Sequence, residues 1–194
     1  MGENRNLVWA LGAIALVILV GAFVLALGGQ PGGQPGAQQT GLSSAEAMKQ
    51  GNDLYGQGKF AEAVQMYQQA LKSEPGNVSA RVNLGNAYFA LDRLDDAARE
   101  FTEASRASPG DADIHSNLGA VLLRQGKVAE AQKEVETAVR LKPALAEGHY
   151  ILGVIYRQTG QMPLALTEFR NVITLTSDAK LKSEAEKQVS EINK

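Results

Sequence analysis

The sequence predicts an all-α fold made of four consecutive helical hairpins, and three regularities support this prediction. Proline recurs every 34 residues, at Pro75, Pro109 and Pro143. Glycine and alanine recur with the same spacing, at Gly51, Gly85, Gly119 and Gly153 and at Ala63, Ala97, Ala131 and Ala165. No insertion disturbs this phase between residues 44 and 177. A constant period of this length is typical of arrays whose units bury their apolar faces against their neighbours.

Each unit is predicted to contain two helices joined by a short turn. With the recurring proline numbered 32, positions 4, 7, 8 and 11 share one helical face, and positions 17, 20, 24 and 27 share another. Small residues at positions 8 and 20 allow the two helices to approach closely. A break falls between the two faces at Gly58, Asp92, Gly126 and Gly160. We therefore expect helices at residues 45–57, 60–73, 78–91, 94–107, 112–125, 128–141, 146–159 and 162–175.

These positions resemble those of the tetratricopeptide repeat (TPR) family. Residues 83–88, Asn-Leu-Gly-Asn-Ala-Tyr, read like the L-G-x-x-Y part of that family's pattern, and the alanine, aromatic and proline positions follow it. The resemblance implies a right-handed superhelix of four TPR hairpins within residues 43–177, with repeats at 44–77, 78–111, 112–145 and 146–177. Two positions depart from the pattern. Gln50 replaces the usual leucine of the first repeat, and Ser177 replaces the last proline.

Both ends of the array carry terminating signals. Ser43 followed by Glu46 predicts a capping box at the start of the first repeat helix. Residues 178–194 depart from the repeat pattern but place Leu181, Ala185, Val189 and Ile192 on one helical stripe among polar residues. We expect this segment to form a C-terminal capping helix that covers the open apolar face of the last repeat.

The N-terminal part of the chain predicts a separate transmembrane helix at residues 7–27. This stretch carries no charged side chain, and as a helix it would be roughly 31 Å long, about the thickness of a bilayer's hydrocarbon core. Trp9 lies where an interfacial aromatic residue is expected. A cleaved signal peptide is the alternative, although the apolar stretch is longer than a typical signal core. Residues 1–6 form a short tail.

The charges beside the apolar stretch indicate its orientation. Arg5 precedes residues 7–27, and the next cation is Lys49. By the positive-inside rule, the chain is expected to cross the cell (inner) membrane once, with its N-terminus cytoplasmic and its TPR domain extracytoplasmic. Residues 28–42 are uncharged and rich in Gly, Gln and Pro, which predicts a flexible linker.

A peptide-binding groove is the functional site that the TPR resemblance implies. In this family the first helix of each repeat lines the concave face. The matching residues here are Met48, Asn52, Tyr55, Val82, Asn83, Asn86, Phe89, Asn117, Leu123, Tyr150 and Arg157. Asparagine amides both donate and accept, so they can bind a peptide main chain, and apolar neighbours would add affinity. The alternative is that these asparagines simply follow the family consensus.

Several other classes of function are disfavoured. The chain contains no cysteine, and its net charge of −2 gives no reason to expect nucleic-acid binding. His115 and His149 recur at position 4 of neighbouring repeats, which indicates repeat packing, and their expected separation is too large for one metal ion. No nucleophile–base pair or cofactor loop is recognisable, so we expect no enzyme activity, no cofactor and no metal site.

The sequence also argues against one activity of the family. TPR domains that grip a C-terminal carboxylate use cations at positions 2, 5 and 6, where this chain has Met48 with Asp113 and Asn117, or Val82 with Glu147 and Ile151. We expect a membrane-tethered scaffold or adaptor that binds a protein segment and assists assembly of an envelope complex. The alternatives are an assembly chaperone of c-type cytochrome maturation or secretion, and a purely structural module that self-associates as a homo-oligomer.

Overall fold

The computed structural model describes residues 42–194, and within them it contains nine α-helices. The predicted tail, the predicted transmembrane helix and all but the last residue of the predicted linker lie outside the described residues. The helices are α1 (Ser44–Gly56), α2 (Phe60–Ser73), α3 (Val78–Ala90), α4 (Leu94–Ala107), α5 (Ala112–Arg124), α6 (Val128–Leu141), α7 (Ala146–Gln158), α8 (Met162–Leu175) and α9 (Ala179–Ile192). This confirms the all-α superhelix of four hairpins plus a capping helix, with helix ends within one residue of the predictions.

The turn inside each hairpin requires a left-handed backbone conformation. Gly58, Gly126 and Gly160 have φ angles of 76°, 77° and 78°, and the equivalent Asp92 has 59°. Asp92 is the only non-glycine residue with positive φ in the part of the chain that the structure describes. Aspartate is one of the few side chains that tolerate this region, which explains why the second hairpin turns like the others without a glycine.

The two helices of each hairpin meet at the glycine of position 8. A Cβ added to Gly51 would lie 2.5 Å from Cε1 of Tyr67, and one added to Gly119 would overlap Cγ2 of Val135. These glycines leave space for the large residue at position 24 of the second helix. The hairpins therefore hold together through close helix packing, as the repeat pattern predicts.

Side chains cap the first helices of the first three repeats and the C-terminal helix. Ser43 and Glu46 form the predicted capping box on α1. Asn77, Asp111 and Asp178 accept backbone hydrogen bonds at the starts of α3, α5 and α9. Such caps satisfy amide groups that have no partner within the helix.

Successive hairpins stack through one continuous apolar core. The second helix of each repeat packs on the first helix of the next, and α9 packs on α8 in the same way. Leu181 and Ala185 of α9 are buried, so this helix covers the end of the array. Among the helices of residues 42–194, none has both the length and the apolar character needed to cross a membrane.

Candidate peptide-binding groove

The structure divides the predicted groove residues into an exposed group and a buried group. The side chains that are at least partly exposed are Met48, Asn52, Tyr55, Val82, Asn83, Asn86, Asn117 and Arg157. The buried ones are Phe89, Leu123 and Tyr150, which are 7%, 5% and 1% exposed. The exposed apolar and carboxamide side chains lie mainly in the first helices of the first three repeats.

The prediction that these side chains line an accessible groove is therefore wrong for three of the residues. The ring of Tyr150 packs edge-on against Phe169, with ring centres 5.6 Å apart. The ring of Phe89 is covered by the Arg124 guanidinium, 4.9 Å from its centre. Leu123 belongs to the same apolar core. Neighbouring helices occupy the space that a peptide would need, so these side chains contribute to stacking.

An asparagine pair whose members bond to each other joins the first and second repeats. Asn52 Oδ1 accepts one hydrogen bond from the Asn83 amide at 3.0 Å and another from the Tyr67 hydroxyl at 2.9 Å. Tyr67 is buried, and its burial raises the pKa of the hydroxyl, which keeps it protonated as a donor. The Tyr67 hydroxyl therefore fixes the orientation of the Asn52 carboxamide.

The equivalent pair of the second and third repeats is unbonded. Asn86 and Asn117 have the same separation in sequence as Asn52 and Asn83, one repeat further along. Within residues 42–194, neither carboxamide makes a hydrogen bond to another protein group. The residue equivalent to Tyr67 is Phe101, which has no hydroxyl. Both amides of this pair are consequently available to a ligand.

The C-terminal end of the groove is closed by α9. Arg157 donates a hydrogen bond to Gln188 and forms an ion pair with Glu191 at 3.2 Å. The separation between Arg157 and Gln188 is 31 residues, as for Asn52 and Asn83, so α9 occupies the place of a fifth repeat's first helix. Beneath it, the Tyr150 hydroxyl is buried and has no hydrogen-bond partner in the described part of the protein. Burial raises the pKa of this hydroxyl.

The charges near the groove do not form a carboxylate-binding set. Arg124 is held by Asp92 at 2.5 Å, and Asp113 is paired with Lys142 at 3.3 Å. Position 5 of the first two repeats is occupied by Met48 and Val82. In the described residues, no group of three or more His, Cys, Asp or Glu side chains is arranged to hold a metal ion. The chemistry that this surface offers is hydrogen bonding by carboxamides beside apolar side chains.

Stacked helical hairpins with a groove on one side define a class of protein–protein interaction modules. Family profiles described as Tetratricopeptide repeat match residues 48–112 and residues 92–155. The two matches together span more than half of the chain. The protein therefore belongs to the tetratricopeptide repeat family, and it contains a TPR interaction module.

Solved structures support the same fold. A crystal structure of MamA is 21% identical with a TM-score of 0.61, and the alignment covers 74% of this chain and 92% of that one. The structure of MamA residues 41 to the end from Desulfovibrio magneticus RS-1 is 21% identical with a TM-score of 0.64, covering 70% and 78%. At this level of identity, the likeness to MamA shows the fold alone.

A third structure contains a bound peptide. The first TPR of Spaghetti (RPAP3) bound to HSP90 peptide SRMEEVD is 26% identical with a TM-score of 0.59. The alignment covers 60% of this chain and 93% of that one. No curated protein matches the sequence.

Proposed function

We propose that this protein is a membrane-tethered TPR adaptor that binds a protein segment in its groove and assists assembly of an envelope complex. One observation supports the binding site above all others. Asn86 and Asn117 are partly exposed and unbonded, whereas the equivalent Asn52 and Asn83 are bonded to each other. A pair of open carboxamides is suited to binding a peptide main chain, which presents alternating donors and acceptors.

The site is confined to the first three repeats in this proposal. Met48, Tyr55 and Val82 provide partly exposed apolar surface on α1 and α3. In the fourth repeat, Tyr150 and Val154 are buried and Arg157 is bonded to Gln188 of α9. Three first helices at 8–10 Å spacing span roughly 20 Å, which suits an extended segment of about six residues.

The chemistry of the groove favours a neutral or basic segment. The RPAP3 domain is described as bound to an acidic HSP90 peptide, which supports peptide binding by this fold in general. In this chain, Asp113 and Glu147 stand at the positions where carboxylate-binding relatives carry cations. An acidic C-terminus would therefore meet like charge, and a segment bound through its main chain and apolar side chains is the better fit.

The tether is proposed from residues 7–27 and the linker that follows them. Their composition supports a single-pass anchor with the TPR domain outside the cytoplasm. Membrane fractionation followed by protease treatment of spheroplasts tests this arrangement. We expect the protein in the membrane pellet and the TPR domain to be digested from outside. Recovery in the soluble fraction would disprove the anchor, and protection in intact spheroplasts would reverse the orientation.

The groove is tested by crosslinking the full-length protein in intact membranes. A photoreactive residue replaces Val82, which lies on the exposed part of the groove, and a second one replaces Arg106 as a control on the outer surface. We expect partner adducts only from position 82, reduced about tenfold by Asn86→Ala with Asn117→Ala. Equal adducts from both positions, or adducts unchanged by the double substitution, would contradict the proposal. The bound protein also discriminates between roles: an apocytochrome indicates cytochrome maturation, and secreted chains indicate secretion.

Self-association is a second candidate function because α8 exposes apolar side chains. Met162, Leu164 and Leu175 are 40%, 46% and 41% exposed. Position 19 is acidic in the first three repeats but is Leu164 in the fourth. Light scattering of the full chain in detergent tests this role. A dimer that dissociates with Leu164→Glu would support a structural module, whereas a monomer in the wild type would exclude it.

A further inference from the structure

A basic side chain at position 4 joins three parts of each of the last three repeats. In the second repeat, Arg81 bonds to the Glu100 carboxylate at 3.3 Å and to the Pro75 carbonyl oxygen at 3.1 Å. Glu100 lies on the second helix of the same hairpin, and Pro75 lies in the turn from the preceding repeat. We call this arrangement the basic bridge. It fixes a hairpin to the turn that enters it.

Histidine takes the place of arginine in the third and fourth repeats. His115 Nδ1 is 2.7 Å from the Glu134 carboxylate, and its Nε2 is 3.0 Å from the Pro109 carbonyl oxygen. His149 repeats this geometry with Glu168 at 2.6 Å and the Pro143 carbonyl oxygen at 2.9 Å. The histidine bridges therefore have the same three components as the arginine bridge.

The two kinds of bridge differ in their response to pH. Both acceptors in a histidine bridge are oxygen atoms without a proton to donate, so both ring nitrogens must carry hydrogen. Only the imidazolium form meets that requirement, whereas a neutral ring turns a lone pair towards one of the oxygens. An arginine side chain, by contrast, has no neutral form accessible in proteins, so an arginine bridge lacks this response.

We propose that the basic bridge of His149 makes the junction between the third and fourth repeats pH-sensitive, firm when the ring is protonated and loosened when it is neutral. The affected helices α7, α8 and α9 form the closed end of the groove. The junction between the first and second repeats, which uses Arg81, stays firm at both pH values. Loosening would uncover the fourth-repeat surface that α9 closes. The effect on ligand binding rests on the proposed function, whereas the pH sensitivity itself does not.

The surroundings of His149 favour the protonated form of the ring. The ring is mostly buried, and Glu168 of α8 is the charged side chain that contacts it in residues 42–194. Glu168 also accepts a hydrogen bond from Asn171 at 3.3 Å. Tyr156 of α7, which interacts electrostatically with Glu168 and with Glu136 of α6, is neutral in this range. No charged group of α9 bonds to the ring.

The direction of the pH effect follows from these contacts. The hydrogen bond to Glu168 raises the pKa of His149 above its usual 6.5, with a smaller contribution from the Pro143 carbonyl. A raised pKa in the folded state means that the bridge contributes fully below pH 6.5 and is lost as the pH rises through the raised value. The pH range in which the bridge weakens therefore lies above 6.5.

Amide hydrogen exchange of the full-length protein in detergent micelles tests the proposal. Exchange is measured at pH 6 and pH 9 and corrected for the intrinsic pH dependence of the amides. We expect protection of α7, α8 and α9 to fall at the higher pH, whereas protection of α3 and α4 should stay constant. Replacement of His149 by Arg, the residue already used at position 81, should remove this difference.

A reciprocal variant provides the matched control. Arg81→His should confer the same pH response on α3 and α4 while leaving α7 to α9 unchanged. An equal response of both regions in the wild type, or a full response that persists in His149→Arg, would overturn the proposal. Because exchange is read without a partner, failure here leaves the peptide-binding role standing, and failure of the crosslinking experiment leaves the pH effect standing.

Discussion

The two halves of the repeat array use equivalent positions for different purposes. At position 5, Met48 and Val82 of the first two repeats are partly exposed, whereas Ser116 and Tyr150 of the last two are 4% and 1% exposed. Position 9 follows the same division, with Asn52 and Asn86 accessible and Ala120 and Val154 buried. These positions form an open concave surface in the N-terminal half, whereas in the C-terminal half they pack in the core.

The difference shows that a repeat position does not determine exposure by itself. The first helices α5 and α7 pack more closely on each other than α1 and α3 do, and α9 covers the last repeat. Small residues such as Ala120 permit the closer approach. A groove therefore exists only where adjacent first helices stay apart, and here that is from α1 to α5. The predictions that follow test this division.

The largest effect is expected from truncating position 5 in the packed half. Tyr150→Ala removes a fully buried ring in contact with Phe169 and should lower the free energy of unfolding by about 4 kcal/mol. The matched change in the open half, Met48→Ala, should cost about 1 kcal/mol because that side chain is already partly exposed. Urea unfolding followed by circular dichroism measures both. Equal losses would mean that the two halves are packed alike.

The next largest effect is expected from adding a methyl group at the position 8 glycine, where the two helices of a hairpin meet. In Gly119→Ala the new methyl group meets Val135 and lies 3.2 Å from the Ala131 carbonyl oxygen, which is backbone and cannot rotate away. We expect a loss of about 3 kcal/mol in thermal or urea unfolding. Gly110→Ala, at an exposed turn with no atom within 4 Å, is the control and should cost little. A tolerated Gly119→Ala would show that the two helices separate easily.

A smaller loss of stability is expected from a substitution that makes the bonded asparagine pair resemble the unbonded pair. Tyr67→Phe removes the hydroxyl that orients Asn52 and should cost about 1 kcal/mol of stability. In NMR spectra, the Asn52 and Asn83 side-chain amide signals should move towards the positions of those of Asn86 and Asn117. The reverse variant, Phe101→Tyr, should order the second pair and weaken adducts from position 82. Unchanged amide signals in Tyr67→Phe would show that the Tyr67 hydroxyl is not the cause of the difference between the two asparagine pairs.

The smallest effect concerns the buried hydroxyl of the packed half. Tyr150 has no hydrogen-bond partner for its hydroxyl in the described part of the chain, so Tyr150→Phe removes a desolvated polar group at little loss of packing. We expect stability to be unchanged or to rise by less than about 1 kcal/mol. The melting temperature by calorimetry checks this, with Tyr67→Phe as the bonded counterpart. A loss as large as that of Tyr67→Phe would indicate a partner for the Tyr150 hydroxyl.

Much of the fold was accessible from the sequence because it depends on local rules. Apolar spacing located the eight repeat helices, the glycine at position 8 indicated the close helix contact, and Ser43 with Glu46 indicated the first cap. Each of these signals acts within one hairpin. The 34-residue period then repeated the same solution four times.

The groove was harder to predict because exposure depends on the neighbouring repeat. Phe89, Leu123 and Tyr150 occupy groove positions in the family pattern, but contacts from adjacent helices bury them. The repeat pattern predicts Tyr67 as an aromatic core residue. Its effect on Asn52 depends on the position of its hydroxyl group, which the pattern does not specify. The regular placement of His115 and His149 indicates packing, whereas no local sequence signal indicates their bonds to the turn carbonyls.

The contact between Asn52 and Asn83 and that between Arg157 and Gln188 use one and the same offset along the chain. A duplicated copy of residues 78–111 placed after residue 111 would therefore meet compatible surfaces on both sides. Such an elongated variant should gain roughly 10 Å of concave length without any redesign. The length of the concave surface is thus adjustable one repeat at a time, and duplication of a gene segment is sufficient to change it.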